Sequence, residues 1–150
     1  MWSLMYRYEL HRRWDNRDRV VFVGLNPSTA DDSVDDATTR RCIGIAKDLG
    51  FGSMTLVNLF AVRSTDPKAL RSFADPIGIG NDVILKKHAR DSSMKIAMWG
   101  NHGSYLCRDR YAKSLFPELY CFRITKENQP SHVLYLPKAI ELRKFIWQNQ

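Results

Sequence analysis

Four short apolar runs, each closing on polar residues, organise the chain. Val20-Val21-Phe22-Val23 leads into Gly24-Leu25-Asn26-Pro27-Ser28, and Met54-Thr55-Leu56-Val57 passes through Asn58 to Leu59-Phe60. Lys95-Ile96-Ala97-Met98-Trp99 closes on Gly100-Asn101-His102-Gly103, and Leu119-Tyr120-Cys121-Phe122 leads to a polar stretch from Thr125 to His132. Runs of this length, rich in β-branched and aromatic residues and bounded by turn formers, predict buried strands. Between them the apolar spacing changes to three and four. Asp36 or Thr38 caps a predicted helix through Arg40, Cys42, Ile43, Ala46 and Leu49 that stops at Gly50. Asp66-Pro67 starts a short helix, with the cap and the proline where each belongs. Further helices are predicted from Asn81 to Arg90 and from Tyr105 to Leu115. Pro137 opens a terminal amphipathic helix carrying Ile140, Leu142, Phe145 and Ile146. Near the start, Met5 to Leu10 alternates and predicts an edge strand.

Strands alternating with helices imply βαβ units and parallel pairing. The expected architecture is a single α/β domain over residues 1–150. It has three layers, α/β/α, around a four-stranded, mainly parallel sheet, with an N-terminal edge strand or hairpin. Parallel strands put their carboxyl ends on one edge, where open α/β sheets bind ligands. The polar residues that end each strand therefore converge on one expected site. Pro27 biases Asn26 there toward an extended backbone.

Composition narrows the setting. A chain of 150 residues is long enough for one real core. No apolar run approaches a membrane span, and Met1 to Arg7 lacks the basic start and apolar stretch of a signal peptide, so a cytoplasmic, non-membrane, monomeric protein is expected. The net charge of +7 suits a polyanionic partner such as nucleic acid, or a basic protein with no such partner. The 3 cysteines, odd in number and widely spaced, form neither a disulfide framework nor a zinc pattern. Cys42 and Cys121 read as buried free thiols. No cofactor is implied.

Several residues can carry chemistry, each with a plainer alternative. Asn26 holds a water or a substrate carbonyl, or caps its own turn. Asn58, an amide inside an apolar strand, reads one donor and one acceptor on a base edge, or is satisfied within the core. Asp31, Asp32, Asp35 and Asp36 supply a base or bind a divalent metal, although their spacing matches no calcium loop. The alternative is a solvated acidic loop with one helix cap, paired with Arg40 and Arg41. His102 and His132 donate to a developing anion or act as general acids, or are merely exposed. His11 and His88 read as surface residues. Phe60 or Tyr105 stacks on a base, or belongs to the core. Arg40, Arg41, Arg63, Arg108, Arg110, Lys113 and Lys126 track phosphates, or are solvated. Gly24 and Gly100 allow close backbone approach without forming a phosphate loop or a dinucleotide fingerprint.

In order and spacing these pieces resemble the uracil-DNA glycosylase superfamily over nearly the whole chain. Gly24-Leu25-Asn26-Pro27 is similar to the Gly-Ile-Asn-Pro strand end of its mismatch-specific branch. Val57-Asn58-Leu59-Phe60-Ala61-Val62-Arg63 resembles the next strand, whose asparagine reads the base in the uracil-specific branch. Met98-Trp99-Gly100 resembles a Leu-Trp-Gly strand end, and Pro130-Ser131-His132-Val133-Leu134 a permuted His-Pro-Ser-Pro-Leu loop. Val133 stands where a proline is expected, Ser28 where a glycine is, and the acidic loop is an addition. With no four-cysteine set, the cluster-bearing branches are excluded. The Gly-Leu-Asn-Pro-Ser-Thr-Ala-Asp stretch also closely resembles a family of small bacterial and phage proteins with no assigned activity.

The resemblance implies a DNA base glycosylase that extrudes a damaged or modified base into a pocket. Asn26 would position the water, with Asp31 or Asp32 supplying a stronger base. Asn58 would read the base and a neutral His132 would stabilise it as it leaves. Leu25, Pro27, Ser28, Phe60, Gly100, Asn101 and His102 would line the pocket, while Arg40, Arg41, Arg63 and Lys126 meet phosphates. No metal is needed. Two other functions compete: a non-catalytic nucleic-acid or nucleotide binder on the same fold, and a metal-dependent nucleotide or nucleoside hydrolase using the Asp31–Asp36 loop.

Overall fold

The computed structural model describes residues 5–28 and 35–145. Along it run β1 (Leu10–Arg13), β2 (Arg19–Gly24), α1 (Ala37–Asp48), β3 (Ser53–Asn58), α2 (Asn81–Arg90), β4 (Met94–Ala97), α3 (Arg108–Leu115), β5 (Tyr120–Cys121) and β6 (Arg143–Lys144). The β-branched Val20, Val21 and Val23 favour extended backbone, and β2 takes the centre of the sheet. Among the described residues that sheet has six strands in the order β1-β3-β2-β4-β5-β6. The inner four are parallel, and β1 and β6 are antiparallel to their neighbours. Register sets Gly24 beside Asn58 and Val23 beside Ala97.

Successive side chains along a strand face opposite ways, and each face of the sheet carries its own core. Val21, Val23, Val57 and Ala97 pack with Leu85 of α2 and Ala112 of α3. Val20, Phe22, Leu56 and Ile96 pack with Cys42 and Ala46 of α1. Each of the buried Val, Leu, Ile and Phe side chains is worth about 1.5–3 kcal/mol, so both faces are fixed and with them the strand ends.

Several expectations are corrected. The sheet is mixed and six-stranded, not four-stranded. The expected terminal helix from Pro137 does not form among the described residues. Its segment supplies β6 instead, which pairs its backbone with the otherwise open edge of β5, and the Phe145 N–H donates to Leu119 O (2.8 Å). Satisfying a strand edge outweighs a modest helical pattern. The Phe145 ring drops edge-on against Trp99, 6.0 Å between centroids; Ile146 lies outside the described residues. The edge strand is Leu10–Arg13 rather than Met5 to Leu10, whose residues make an isolated bridge, Tyr6 to Val62. The helix expected from Tyr105 begins at Arg108, because Leu106 (φ 54°) and Cys107 (φ 57°) adopt left-handed backbone. His88, expected on the surface, is 1% exposed and bonded to Glu9.

Asp36, not Thr38, caps α1, accepting from the Thr39 N–H at 2.8 Å. Asp66 caps the turn Pro67–Ser72 as expected. Cys42 and Cys121 are buried free thiols, and Cys107 is exposed. Among the described residues no helix is long and apolar enough to cross a membrane.

Candidate functional site

Where the parallel strands stop pairing, the chain turns away from the sheet and leaves a cavity of about 440 Å³ at their carboxyl ends. The ladder runs slightly past the strands: Leu59 N–H donates to Gly24 O, and Met98 N–H to Val23 O (both 2.9 Å). Leu25, Asn26, Pro27, Ser28, Asn58, Gly100, Asn101, His102 and His132 all line this one cavity.

Asn58 is 4% exposed, and its side-chain amide makes no hydrogen bond among the described residues. Its backbone is pinned from behind. Asn81, fully buried at the start of α2, donates Nδ2 to Asn58 O (2.9 Å) and Leu59 O (3.0 Å). Gly24 gives the side chain room: a Cβ there would stand 2.8 Å from Asn58 Oδ1 and 3.3 Å from Met98 Cε. The amide lines the cavity, so its donor and acceptor are open to a ligand that enters it.

His132 adds a donor of defined form. Its Nδ1 accepts from the Leu134 N–H (3.1 Å), so the ring proton sits on Nε2. Burial lowers its pKa, the nearby Asp36 charge pulling weakly the other way. The ring is therefore neutral at pH 7, with an Nε2–H unpartnered among the described residues. The Gly100 N–H donates to Pro130 O (2.8 Å), which ties the end of β4 to the loop bearing His132. Gly100 has φ +72°, a backbone that favours glycine. Asn101 Oδ1 accepts from the Thr125 hydroxyl (2.6 Å), and His102 makes no side-chain hydrogen bond among the described residues.

Asn26 is half-committed. Its Nδ2 donates to Ser64 O (2.9 Å), Pro27 O (3.1 Å) and Val62 O (3.3 Å), so the turn-capping role is present. Only an NH₂ group can face three carbonyls, which leaves Oδ1 as the end able to hold a water. Replacing Asn26 thus disturbs the loop as well as any chemistry. The Ser28 hydroxyl donates to Asp36 Oδ2. Burial pushes Asp36 upward, but the Ser28 and Thr39 donors, with Arg7, hold it below its usual pKa.

The sequence reading missed Arg7, which lines the cavity at 8% exposure. Its one signal was position: an arginine interleaved between two tyrosines in an alternating segment. Thr38, Ser64, Thr65 and Tyr135 line the cavity without any pattern that marked them.

Other expected residues lie elsewhere. Phe60 is fully buried in the core against Tyr105, ring centroids 5.7 Å apart, and neither lines the cavity. Phe60 belongs to the α2/α3 face, where apolar packing claims its ring. Arg40, Arg41, Arg63 and Lys126 do not line the cavity either. Arg40 bonds Asp35 O (2.8 Å) and Arg41 bonds Pro137 O (2.9 Å), while Lys126 is exposed. The Asp35 carboxylate pairs with Arg12 (2.7 Å) rather than with Arg40 or Arg41. Asp31 and Asp32 fall outside the described residues.

Comparison with curated proteins and with solved structures finds no match. A family model described as "Protein of unknown function (DUF1643)" matches residues 7–134. The matched span runs from the arginine in the cavity wall to the leucine beside His132, and the chain belongs to that family.

Proposed function

We propose that the cavity takes a nucleobase and that the protein hydrolyses the N-glycosidic bond of a damaged or modified base in DNA. One observation carries the reading. A buried, unpartnered Asn58 amide and a neutral His132 Nε2–H line the same cavity at the strand ends. An amide offers one donor edge and one acceptor edge, which suits the paired donor and acceptor of a pyrimidine ring. Breaking the C1′–N bond develops negative charge on the base, and a neutral N–H donor stabilises that charge as it appears. A base in a duplex reaches such a cavity by leaving the stack. The net charge of +7 favours the polyanion.

The test is formation of abasic sites. Oligonucleotides carrying uracil, hydroxymethyluracil, thymine opposite guanine, or other modified pyrimidines are incubated with the protein and cleaved with hot alkali. Chelator-resistant breaks are expected, falling at least about 100-fold in Asn58→Ala, because a site built to hydrogen-bond a ligand loses that much when one side is removed. Breaks abolished by chelator would favour the metal-dependent hydrolase. Salt-dependent binding without breaks would overturn catalysis and favour the binding module. That second reading draws on Asn26, whose NH₂ group is committed to loop carbonyls.

A further inference from the structure

We infer that Asp36 is the catalytic base of this cavity, receiving the proton of the attacking water, with Ser28 as the residue that positions its carboxylate. The inference rests on the glycosidic reading above. Asp36 is the one carboxylate among the described residues that lines the cavity. A carboxylate has about four acceptor sites. Asp36 uses one on the Thr39 N–H and one on the Ser28 hydroxyl, which leaves acceptor capacity for a water.

Capping alone does not call for this arrangement. An N-cap needs an acceptor, not a charge, and asparagine caps as well as aspartate. Nor does a cap need a serine from another segment to fix its second oxygen. The charged and titratable surroundings keep Asp36 ionised. Arg7 of the N-terminal segment favours the anion, while His132 and Cys42 both feel its charge and are themselves neutral. A carboxylate held this acidic is a weak base, yet its fixed charge faces a reaction whose sugar turns positive as the base leaves.

The balance is simple. The C1′–N bond breaks and its electron pair departs with the base, whose anion is met by the His132 Nε2–H. The water oxygen bonds C1′, its proton passes to Asp36 and then to solvent, and the base anion takes a proton from solvent. A free base and an abasic sugar result.

Asp36→Asn separates charge from cap. On the oligonucleotide the wild type processes, single-turnover excision should fall at least about 100-fold, while the Kd for that oligonucleotide and the thermal midpoint stay within about 2-fold and 2 °C. Ser28→Ala, which leaves the cap untouched, should slow excision about 10-fold with Kd unchanged. Excision by Asp36→Asn within 3-fold of an active wild type, measured at about the same precision, would overturn the inference and leave the glycosidic reading standing. A wild type inactive on every oligonucleotide would overturn both.

Discussion

The two ends of the parallel strands treat their polar residues in opposite ways. Toward the amino ends, Arg19 of β2 meets Asp91 and Lys95 of β4 meets the same carboxylate at 3.0 Å, while along the sheet edge His88 and Lys87 of α2 both meet Glu9. Burial alone would raise Asp91, but the Ser93 N–H and Lys95 hold it at about 2. Glu9 is lowered as well, the His88 and Lys87 bonds outweighing its burial. Toward the carboxyl ends, Asn58, the His132 Nε2–H and His102 have no partners among the described residues. The first end spends its charges on ion pairs, whereas the second, where Asn26, Ser28 and Asn101 are bonded within the protein, still keeps the hydrogen bonds of Asn58, His102 and the His132 Nε2–H for something else.

Two asparagines that meet at the carboxyl end test the difference between a bonded and an unbonded amide most strongly. Asn81→Ala removes the donor to two buried carbonyls. It should destabilise the protein by about 2–3 kcal/mol, lowering the thermal midpoint by about 4–10 °C. Asn58→Ala removes an amide that holds nothing in the described structure, and its stability should match the wild type or rise slightly. Urea unfolding of both variants at pH 7 decides the matter. Equal losses would mean that Asn58 is a structural amide rather than one kept for a ligand.

A smaller effect sharpens the same point. Gly24→Ala places a methyl group 2.8 Å from Asn58 Oδ1 and against Met98. The amide must turn or retreat, and a loss of one ligand hydrogen bond, about 1–1.5 kcal/mol, is expected. Binding of a uracil-containing oligonucleotide should weaken about 10-fold. Unchanged binding would show that the ligand does not reach the Asn58 amide.

The strand ends were legible in the sequence because buried strands are loud: Val20 to Val23 and Met54 to Val57 cannot lie anywhere but inside. Once parallel pairing was inferred, Asn26, Asn58, Asn101, His102 and His132 had to share an edge. The misreadings came where side-chain pattern and backbone need diverge. The Ile140–Phe145 spacing is helical, yet an open strand edge took the segment. His88 sits on a helix rich in charge, and nothing local reveals that Glu9, 79 residues earlier, comes to meet it. Arg7 escaped for a similar reason. Its burial depends on where the N-terminal segment crosses Ala61, a contact between distant parts of the chain. Charge is what marks Arg40, Arg41 and Arg63 as partners for phosphate, and charge does not say which way a side chain points.

The last effect concerns the partnered end and its response to pH. Asp91 is a carboxyl whose folded pKa, about 2, lies below its unfolded value near 3.9. The unfolded chain binds a proton first as pH falls, so the Asp91 contribution is complete above about pH 4–5 and disappears as pH falls toward 2. With its side chain 30% exposed, solvent screens part of the shift, and about 1–2 kcal/mol at pH 7 is expected. Asp91→Asn should therefore lower stability at pH 7 by that amount and by much less at pH 2.5, and added salt should narrow the gap. Ligand binding at the far cavity should not change, since none of its lining residues touches Asp91. A binding defect in this variant, with stability intact, would mean that the charged end reaches the cavity through α2, and the contrast between the two ends would then be one of coupling rather than of separate duties.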